Sequence, residues 1–324
     1  MGEAVVRIAY TGICGSDVYV YKGQNPEAKE NAVLGHEYSG IIHQIAPNSE
    51  NPRGLKPGDK VAGWIVKSCG VCEACIAGHT NVCRRFKCYG TQIDGTLREF
   101  ITAPLQMLYK LPDDADLRLC ALVEPLAVAV YAVRETPVLL GDNVFVIGGG
   151  PIGICTALAA RRAGARHVVV SEIEEEKVAR IRSLGFDVIN PLTCDARATA
   201  MEMTDGKGFE CVMEATATES GFSLMPKIAS FRAKGMSIGV SHSPVPLIPR
   251  EIMKNEMYIK TTRVHQQSVF GMTVELFTKA DEAFLSSMSS LITHDYDFEH
   301  INDAFLFCVN DKSYCKVMVK VMKD

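Results

Sequence analysis

The chain contains no apolar run long enough to cross a bilayer. Its longest such stretch, Leu119 to Val133, is interrupted by Glu124 and Pro125 and falls short of the required span. No basic region followed by an apolar run and a small-residue cleavage site opens the chain, so no secretory leader is expected. A marked excess of charge of one sign is lacking too. A net charge of -4 over 324 residues, 22% of them charged, gives no reason to expect nucleic acid or an anionic membrane as a partner. Internal repeats and low-complexity segments are absent. What remains is a globular protein, 47% hydrophobic and too long for one ordinary core, so two domains are expected. The expected compartment is the cytoplasm, where thiols stay reduced.

Against that background, twelve cysteines point to metal or catalysis before disulfides. Cys69, Cys72, Cys75 and Cys83 follow the spacing C-x2-C-x2-C-x7-C, and most of the others are scattered singly through apolar contexts. Four thiolates this close can enclose a tetrahedral zinc and leave no position open for chemistry. Gly70 and Gly78 supply the backbone freedom a tight lobe needs. The alternative is four buried or reactive thiols that are near one another by coincidence.

Two textures run along the chain. Up to about residue 120, short β-rich runs (Val5–Tyr10, Ser39–Ile45, Lys60–Val66, Leu97–Ala103) are separated by Gly, Pro and Asn, as in a small turn-rich β domain. Gly2–Tyr10 reads as the middle of such a domain, as a missing leading hairpin or a start placed too far downstream would leave it. From about residue 140, strands and helices alternate. Asn143–Ile147, His167–Ser171, Glu210–Glu214 and Gly235–Val240 read as strands, Ile152–Arg162 and Glu174–Leu184 as helices. That alternation predicts a parallel sheet covered by helices. Lys316–Val321 is strand-like and is expected to return to the first domain.

The strand Asn143–Ile147 runs into Gly148-Gly149-Gly150-Pro151-Ile152-Gly153, in which Gly148, Gly150 and Gly153 satisfy G-x-G-x-x-G. Gly148 permits the tight turn, Gly150 lets the backbone approach a pyrophosphate, and Gly153 lets helix and strand pack closely. The helix N-terminus then faces the phosphates. Glu172 lies 19 residues beyond Gly153, where an acidic side chain accepts hydrogen bonds from the adenosine ribose. With Glu174, Glu175 and Glu176 it repels a 2′-phosphate, so NAD is expected over NADP. The alternative is an ordinary strand–turn–helix without a ligand.

Away from the cysteine cluster, Cys14, His36 and Glu37 supply a thiolate, an imidazole and a carboxylate. Singly they read as a small core residue, a satisfied loop histidine and a solvated carboxylate. Beside a dinucleotide loop they describe a Lewis acid near a hydride acceptor, since a catalytic zinc uses three protein ligands and one exchangeable position.

Five motifs now stand in order: Gly12-Ile13-Cys14-Gly15-Ser16-Asp17, Gly35-His36-Glu37-Tyr38-Ser39-Gly40, the cysteine lobe, Val123-Glu124-Pro125-Leu126-Ala127 and the glycine loop. Over essentially its whole length the chain resembles the zinc-containing medium-chain dehydrogenase/reductase family, in its sorbitol and threonine dehydrogenase branch. Leu291–His294 and Cys315–Val321 are most similar to the starvation-sensing dehydrogenases, near the sugar-acid and galactitol-type enzymes. The resemblance implies an α/β protein with a GroES-like catalytic domain (1–125 and 264–324) split around a Rossmann domain (126–263). It also implies two zinc ions per chain, NAD, a small-molecule alcohol substrate, and a homodimer or homotetramer.

Carried over residue by residue, Cys14 and His36 match zinc ligands. Glu37 matches a carboxylate that binds directly or through water. Glu124 matches a second carboxylate near the metal, although beside Pro125 it also reads as a helix-start carboxylate. Asp17 is expected to orient His36, and Ser16 to take the substrate proton. The family's next relay position, usually histidine, is Tyr19 here. A phenol is a poor base at neutral pH, so water or another side chain is expected to finish the relay. Arg263 matches an arginine that contacts substrate in the polyol enzymes, and equally reads as a surface or domain-junction residue; His265 beside it is a weaker candidate. The implied reaction turns a secondary alcohol of a polyol, sugar or sugar acid into a ketone. Alternatives are a threonine-type amino-alcohol dehydrogenase and a weakly catalytic NAD-binding or sensing protein, the latter suggested by Tyr19.

Overall fold

The structure, a computed structural model, describes residues 2–241 and 243–323. The chain begins with β1 (Glu3–Ile13), β2 (Glu37–Ile45), β3 (Lys60–Gly63), β4 (Val66–Lys67), β5 (Lys87–Cys88), β6 (Phe100–Pro104) and β7 (Leu108–Lys110). Next come β8 (Asn143–Ile147), β9 (His167–Ser171), β10 (Asp187–Ile189), β11 (Phe209–Glu214), β12 (Ala229–Ser237) and β13 (Tyr258–Thr261). The last two strands are β14 (Ile292–Asp297) and β15 (Lys316–Lys320). Two compact units result: Met1–Ala127 with His265–Asp324, and Val128–Val264.

In the first unit, among the described residues, a seven-stranded sheet runs in the order β14-β15-β1-β2-β3-β7, with β6 also paired to β1. The pair β4-β5 forms a small separate ribbon. The long β1 organises this unit because it pairs antiparallel with β2, β6 and β15. Its register sets Gly12 opposite Glu37 and Ile13 opposite Val317, bringing three distant parts of the chain to one end of the strand. Lys60–Val66, expected as one strand, is two: the β3–β7 ladder closes with the Trp64 N–H on the Met107 carbonyl, and Val66 pairs with Cys88 instead.

The second unit is a six-stranded, all-parallel sheet in the order β10-β9-β8-β11-β12-β13. Numbered from β8, this is the 3-2-1-4-5-6 order of the doubly wound dinucleotide-binding fold. β8 reads Asn-Val-Phe-Val-Ile and is buried throughout, as a central strand covered on both faces must be. Phe145 and Phe209 meet edge-to-face with centroids 5.0 Å apart, in a core that includes Val169, Val212, Met225 and Ile228. The helix after β8 spans Pro151–Arg162 with proline in its first turn, where a missing N–H costs nothing. β12 starts earlier than the expected Gly235–Val240, since Ala229 already pairs with Phe209, and it ends earlier because the Gly239 N–H shares the Glu214 carbonyl with Ile238. Among the described residues, no helix is long and apolar enough to cross a membrane.

Candidate functional site

The end of β1 builds the first cluster. Cys14 follows Ile13 directly and caps the helix Gly15–Tyr21. Its N–H donates to Asp17 Oδ2 at 2.9 Å, while Asp17 Oδ1 accepts from the Gly35 N–H at 2.9 Å. Gly35 has φ +88°, and a Cβ there would sit 2.8 Å from both Thr11 and Leu97, so the residue before His36 must be glycine. The buried Asp17 lies 3.3 Å from His36 Nδ1, off the line of a good hydrogen bond. Burial works to raise the Asp17 carboxyl, yet His36 and the two backbone N–H groups outweigh it and hold it below its ordinary value. The donor atoms of Cys14, His36 and Glu37 all lie within 4.8 Å of one another.

Both carboxylates near this cluster have buried partners. Lys316, at the start of β15, donates to the two Glu37 oxygens at 2.6 and 2.7 Å and to the Ile13 carbonyl at 3.2 Å. Burial opposes the ammonium charge, but Glu37 prevails and lifts Lys316 above the usual lysine range. Glu124, in the first turn of the helix Val123–Glu135, stands outside the three-residue group; its Oε1 lies 3.0 Å from His265 Nε2. Burial raises the Glu124 carboxyl, whereas His265, His36 and Lys316 together bring it below the ordinary glutamate value. Ser16 is exposed on the same helix turn as Asp17, and Tyr19 is half-buried one turn on. Arg263 is exposed and belongs to the second unit.

The four cysteines of the lobe converge without a disulfide. Zinc–sulfur bonds of about 2.3 Å in a tetrahedron place sulfurs about 3.8 Å apart. Cys72–Cys75, Cys72–Cys83 and Cys69–Cys75 stand at 3.5, 3.9 and 4.0 Å, so the lobe already has the dimensions of a closed zinc site. Gly70 and Gly78 take φ values of +73° and +86°, the left-handed turns the lobe needs. The Cys69 and Arg85 N–H groups point at Cys83 Sγ, each at 3.2 Å. Backbone N–H groups of Arg84 and Cys75 pull the Cys72 thiol down to about 6, whereas burial and Cys72 itself push Cys75 up to about 11. Thiolate character is therefore favoured at Cys72, as metal ligation demands of a ligand. At the other cluster, one thiol, one imidazole and one carboxylate also fit zinc, and three donors leave a position for substrate.

In the second unit, Gly148 turns with φ +101°, and a Cβ on Gly153 would lie 1.9 Å from the Gly148 carbonyl oxygen. A Cβ on Gly150 would meet nothing within 4 Å, so this side of the loop is open to a ligand. Pro151 and Ile152, half-buried, form the first turn of the helix. Glu172 is buried at the end of β9. Its Oε2 accepts the Gly149 N–H at 2.8 Å, and its Oε1 accepts the Ile173 and Glu174 N–H groups at 2.7 and 3.0 Å. The carboxylate thus braces the glycine loop itself. The middle glycine is constrained as well: a Cβ on Gly149 would come within 2.3 Å of Ile181.

Comparison with known proteins agrees with this geometry. Residues 1–113 match the alcohol dehydrogenase GroES-like domain family, and residues 151–279 match the zinc-binding dehydrogenase family. The 2-dehydro-3-deoxy-L-galactonate 5-dehydrogenase of Pseudoalteromonas atlantica is 31% identical over 294 residues, covering 90% of this chain and 85% of that one. The chain belongs to the zinc-type alcohol dehydrogenase family. Two solved structures of zinc-type dehydrogenase fold are similar throughout. Galactitol-1-phosphate dehydrogenase of Escherichia coli superposes with a TM-score of 0.90 at 25% identity, covering 98% of this chain and 92% of that one. An Escherichia coli alcohol dehydrogenase, RspB, complexed with NADH superposes with a TM-score of 0.86 at 27% identity, with the same 98% and 92% coverage. The GroES-like and Rossmann architecture expected from the motifs is therefore that of this dehydrogenase family.

The dehydrogenase motifs do not announce every buried group near the cluster. Lys316 looks like the first residue of an ordinary strand, and its one signal is a lysine inside the apolar run Cys315–Val319. His265 stands out in the sequence only as a neighbour of Arg263, although its side chain is fully buried against Glu124.

Proposed function

We propose that this dehydrogenase oxidises a secondary alcohol of a polyol, sugar or sugar acid to the ketone, with NAD as hydride acceptor. The observation that carries this reading is the meeting of Cys14, His36 and Glu37 within 4.8 Å, in a chain that also holds an open glycine loop. The GroES-like domain (1–125 and 264–324) supplies the metal residues, and the Rossmann domain (126–263) holds the cofactor. Cys14, His36 and Glu37 hold the catalytic zinc, with Glu124 as a second carboxylate beside it, and Cys69, Cys72, Cys75 and Cys83 hold a structural one. The catalytic metal, when bound, supplies a Lewis acid that lowers the pKa of the substrate hydroxyl.

Asp17 fixes the direction of the His36 ring, and Ser16 takes the hydroxyl proton. The carbinol carbon gives up its hydride to NAD, so the products are the ketone, NADH and one proton. With Tyr19 in the relay position, that proton leaves Ser16 through water or a different side chain. Gly148, Gly150, Pro151, Ile152 and Gly153 form the pyrophosphate turn. Glu172 supports NAD over NADP because a 2′-phosphate would meet its carboxylate with Glu174 beside it. Arg263 grips a hydroxyl or an anionic group of the substrate. The names of the relatives, a sugar-acid and a sugar-phosphate dehydrogenase, favour this substrate class, and resemblance favours a homodimer or homotetramer.

The test combines zinc content per chain with NADH formation over polyols, aldonates, sugar phosphates and L-threonine, using NAD and NADP in parallel. Two zincs and NAD-linked turnover on a subset of polyols or sugar acids is the expected result. Turnover confined to L-threonine would replace the substrate class. Tight NAD binding without turnover on any alcohol would replace the enzyme with a sensor. Cys14→Ser is expected to remove one zinc and most turnover while leaving NAD binding intact.

A further inference from the structure

Among the described residues His265 is the most completely buried histidine, with 0% exposure, and none of the dehydrogenase motifs includes it. Its Nε2 lies 3.0 Å from Glu124 Oε1, and its ring stacks on Phe270 with centroids 5.5 Å apart and planes 20° from parallel. An ionised carboxylate can only accept, so the hydrogen of this contact sits on Nε2 and Nδ1 must find a partner of its own. That Nδ1 is buried and has no hydrogen-bond partner. Burying an unsatisfied ring nitrogen is unfavourable, and a core position that served packing alone would be better filled by an apolar side chain.

The backbone holds a second unfavourable feature one residue earlier. Val264 has φ +50°, a left-handed conformation that β-branched residues avoid. The following segment is tied down at each residue. The His265 carbonyl faces Trp64 Nε1 at 3.5 Å, Gln266 Nε2 meets His79 Nδ1 at 2.7 Å, and the Gln267 carbonyl accepts the Tyr109 hydroxyl at 3.1 Å. Strain, burial and anchoring all serve one outcome, an imidazole delivered to one oxygen of Glu124. Among the described residues, no side chain or backbone donor meets the other oxygen.

We propose that His265 is a positioning residue, whose Nε2–H holds Glu124 by Oε1 and leaves Oε2 to serve the metal bound at Cys14, His36 and Glu37. The role rests on the metal assignment proposed above, and it explains both the orphaned Nδ1 and the strained Val264. Ligand-supporting hydrogen bonds of this kind change metal affinity or activity by about 10–100-fold when removed.

The test is a zinc titration against a chromophoric chelator, with turnover measured separately, on the full chain and on His265→Leu, His265→Gln and Cys14→Ser. Wild type is expected to take two equivalents. His265→Leu should keep the cysteine-lobe equivalent and a cooperative Trp64 fluorescence melt, while binding the second zinc about 10–100-fold more weakly. His265→Gln, whose amide can donate to the same oxygen, should recover the second site to within a few-fold. If His265→Leu does not fold, His265→Asn replaces it, being polar but too short to reach Glu124, and it should lose the second zinc where glutamine keeps it. An undiminished second site in His265→Leu, or equal losses with glutamine and its non-donating counterpart, would overturn the positioning role. Cys14→Ser separates the two ideas. If it retains both zincs, the metal assignment itself fails; if it loses one while His265→Leu retains both, only the role of His265 fails.

Discussion

Replacing Lys316 by methionine removes an ammonium and keeps most of the volume of its stem. The lysine is 3% exposed and Glu37 is 1% exposed, so water cannot take over the lost interaction. Two hydrogen bonds to the carboxylate, at 2.6 and 2.7 Å, and a third to the Ile13 carbonyl vanish together. In the metal-free protein, where no cation takes its place, breaking a buried ion pair from one side costs about 3–5 kcal/mol, because the remaining charge stays buried without compensation. For a domain of about 150–250 residues each kcal/mol moves the midpoint by about 2–4 °C, so Lys316→Met should lower it by roughly 6–20 °C. The chain provides its own local probe. Trp64 is its single tryptophan, is buried in the same unit as the pair, and reports that unit's unfolding by fluorescence. The double variant Lys316→Met/Glu37→Gln leaves neither charge of this pair unpartnered and should regain more than half of the stability lost by the metal-free protein. A midpoint within about 2 °C of wild type in Lys316→Met, or a double variant no more stable than the single one, would refute the reasoning.

Gly153→Ala sets a Cβ 1.9 Å from the Gly148 carbonyl oxygen, and a methyl pressed on backbone cannot be relieved by a rotamer change. NAD affinity measured by calorimetry should fall at least about 10-fold, as expected when the pyrophosphate turn is forced open; an unchanged Kd would count against that turn as the cofactor site. Cys75→Ser removes one sulfur of the lobe and should cost one zinc per chain and lower the Trp64 melting midpoint, whereas an unchanged zinc count would disprove a structural metal there. Burial raises the Asp59 carboxyl, but the Lys110 ammonium and the Lys56 N–H prevail and hold it below the ordinary aspartate value. Stability from a lowered carboxyl is complete above that ordinary value and fades as pH falls through the lowered one. Asp59→Asn should therefore be less stable than wild type at pH 7, with the gap closing as pH falls below the ordinary aspartate range; a gap independent of pH would contradict the pairing.

Features with a short-range cause are legible in the residue order itself. β8 and β9 have the bounds their β-branched runs suggest, because a central parallel strand is apolar along its whole length. The glycine loop is legible for a related reason. Turn, close approach and helix packing each require glycine at a fixed offset, and all three lie within six residues. The cysteine lobe is equally readable, since its sulfurs converge inside one short segment with glycines at its two left-handed turns. Strand ends are less readable. Lys60–Val66 divides because Val66 pairs with Cys88 and not with a continued β3–β7 register, and β12 stops at Ser237 because the Ile238 and Gly239 N–H groups share one carbonyl, that of Glu214.

Local residue order determined the class of fold, the dinucleotide turn and the sulfur-rich lobe, because backbone sterics and short-range spacing act within a few residues. Tertiary structure alone decided what surrounds the second cluster. Glu37 and Lys316 are 279 positions apart, and Glu124 and His265 are 141 apart. No local pattern links them. The β1–β15 register places Lys316 beside Ile13, and the first turn of the helix Val123–Glu135 carries Glu124 to His265. Long-range electrostatic pairing of this kind is set by which strands share a sheet and in which register, and burial of the pair then makes each partner indispensable to the other.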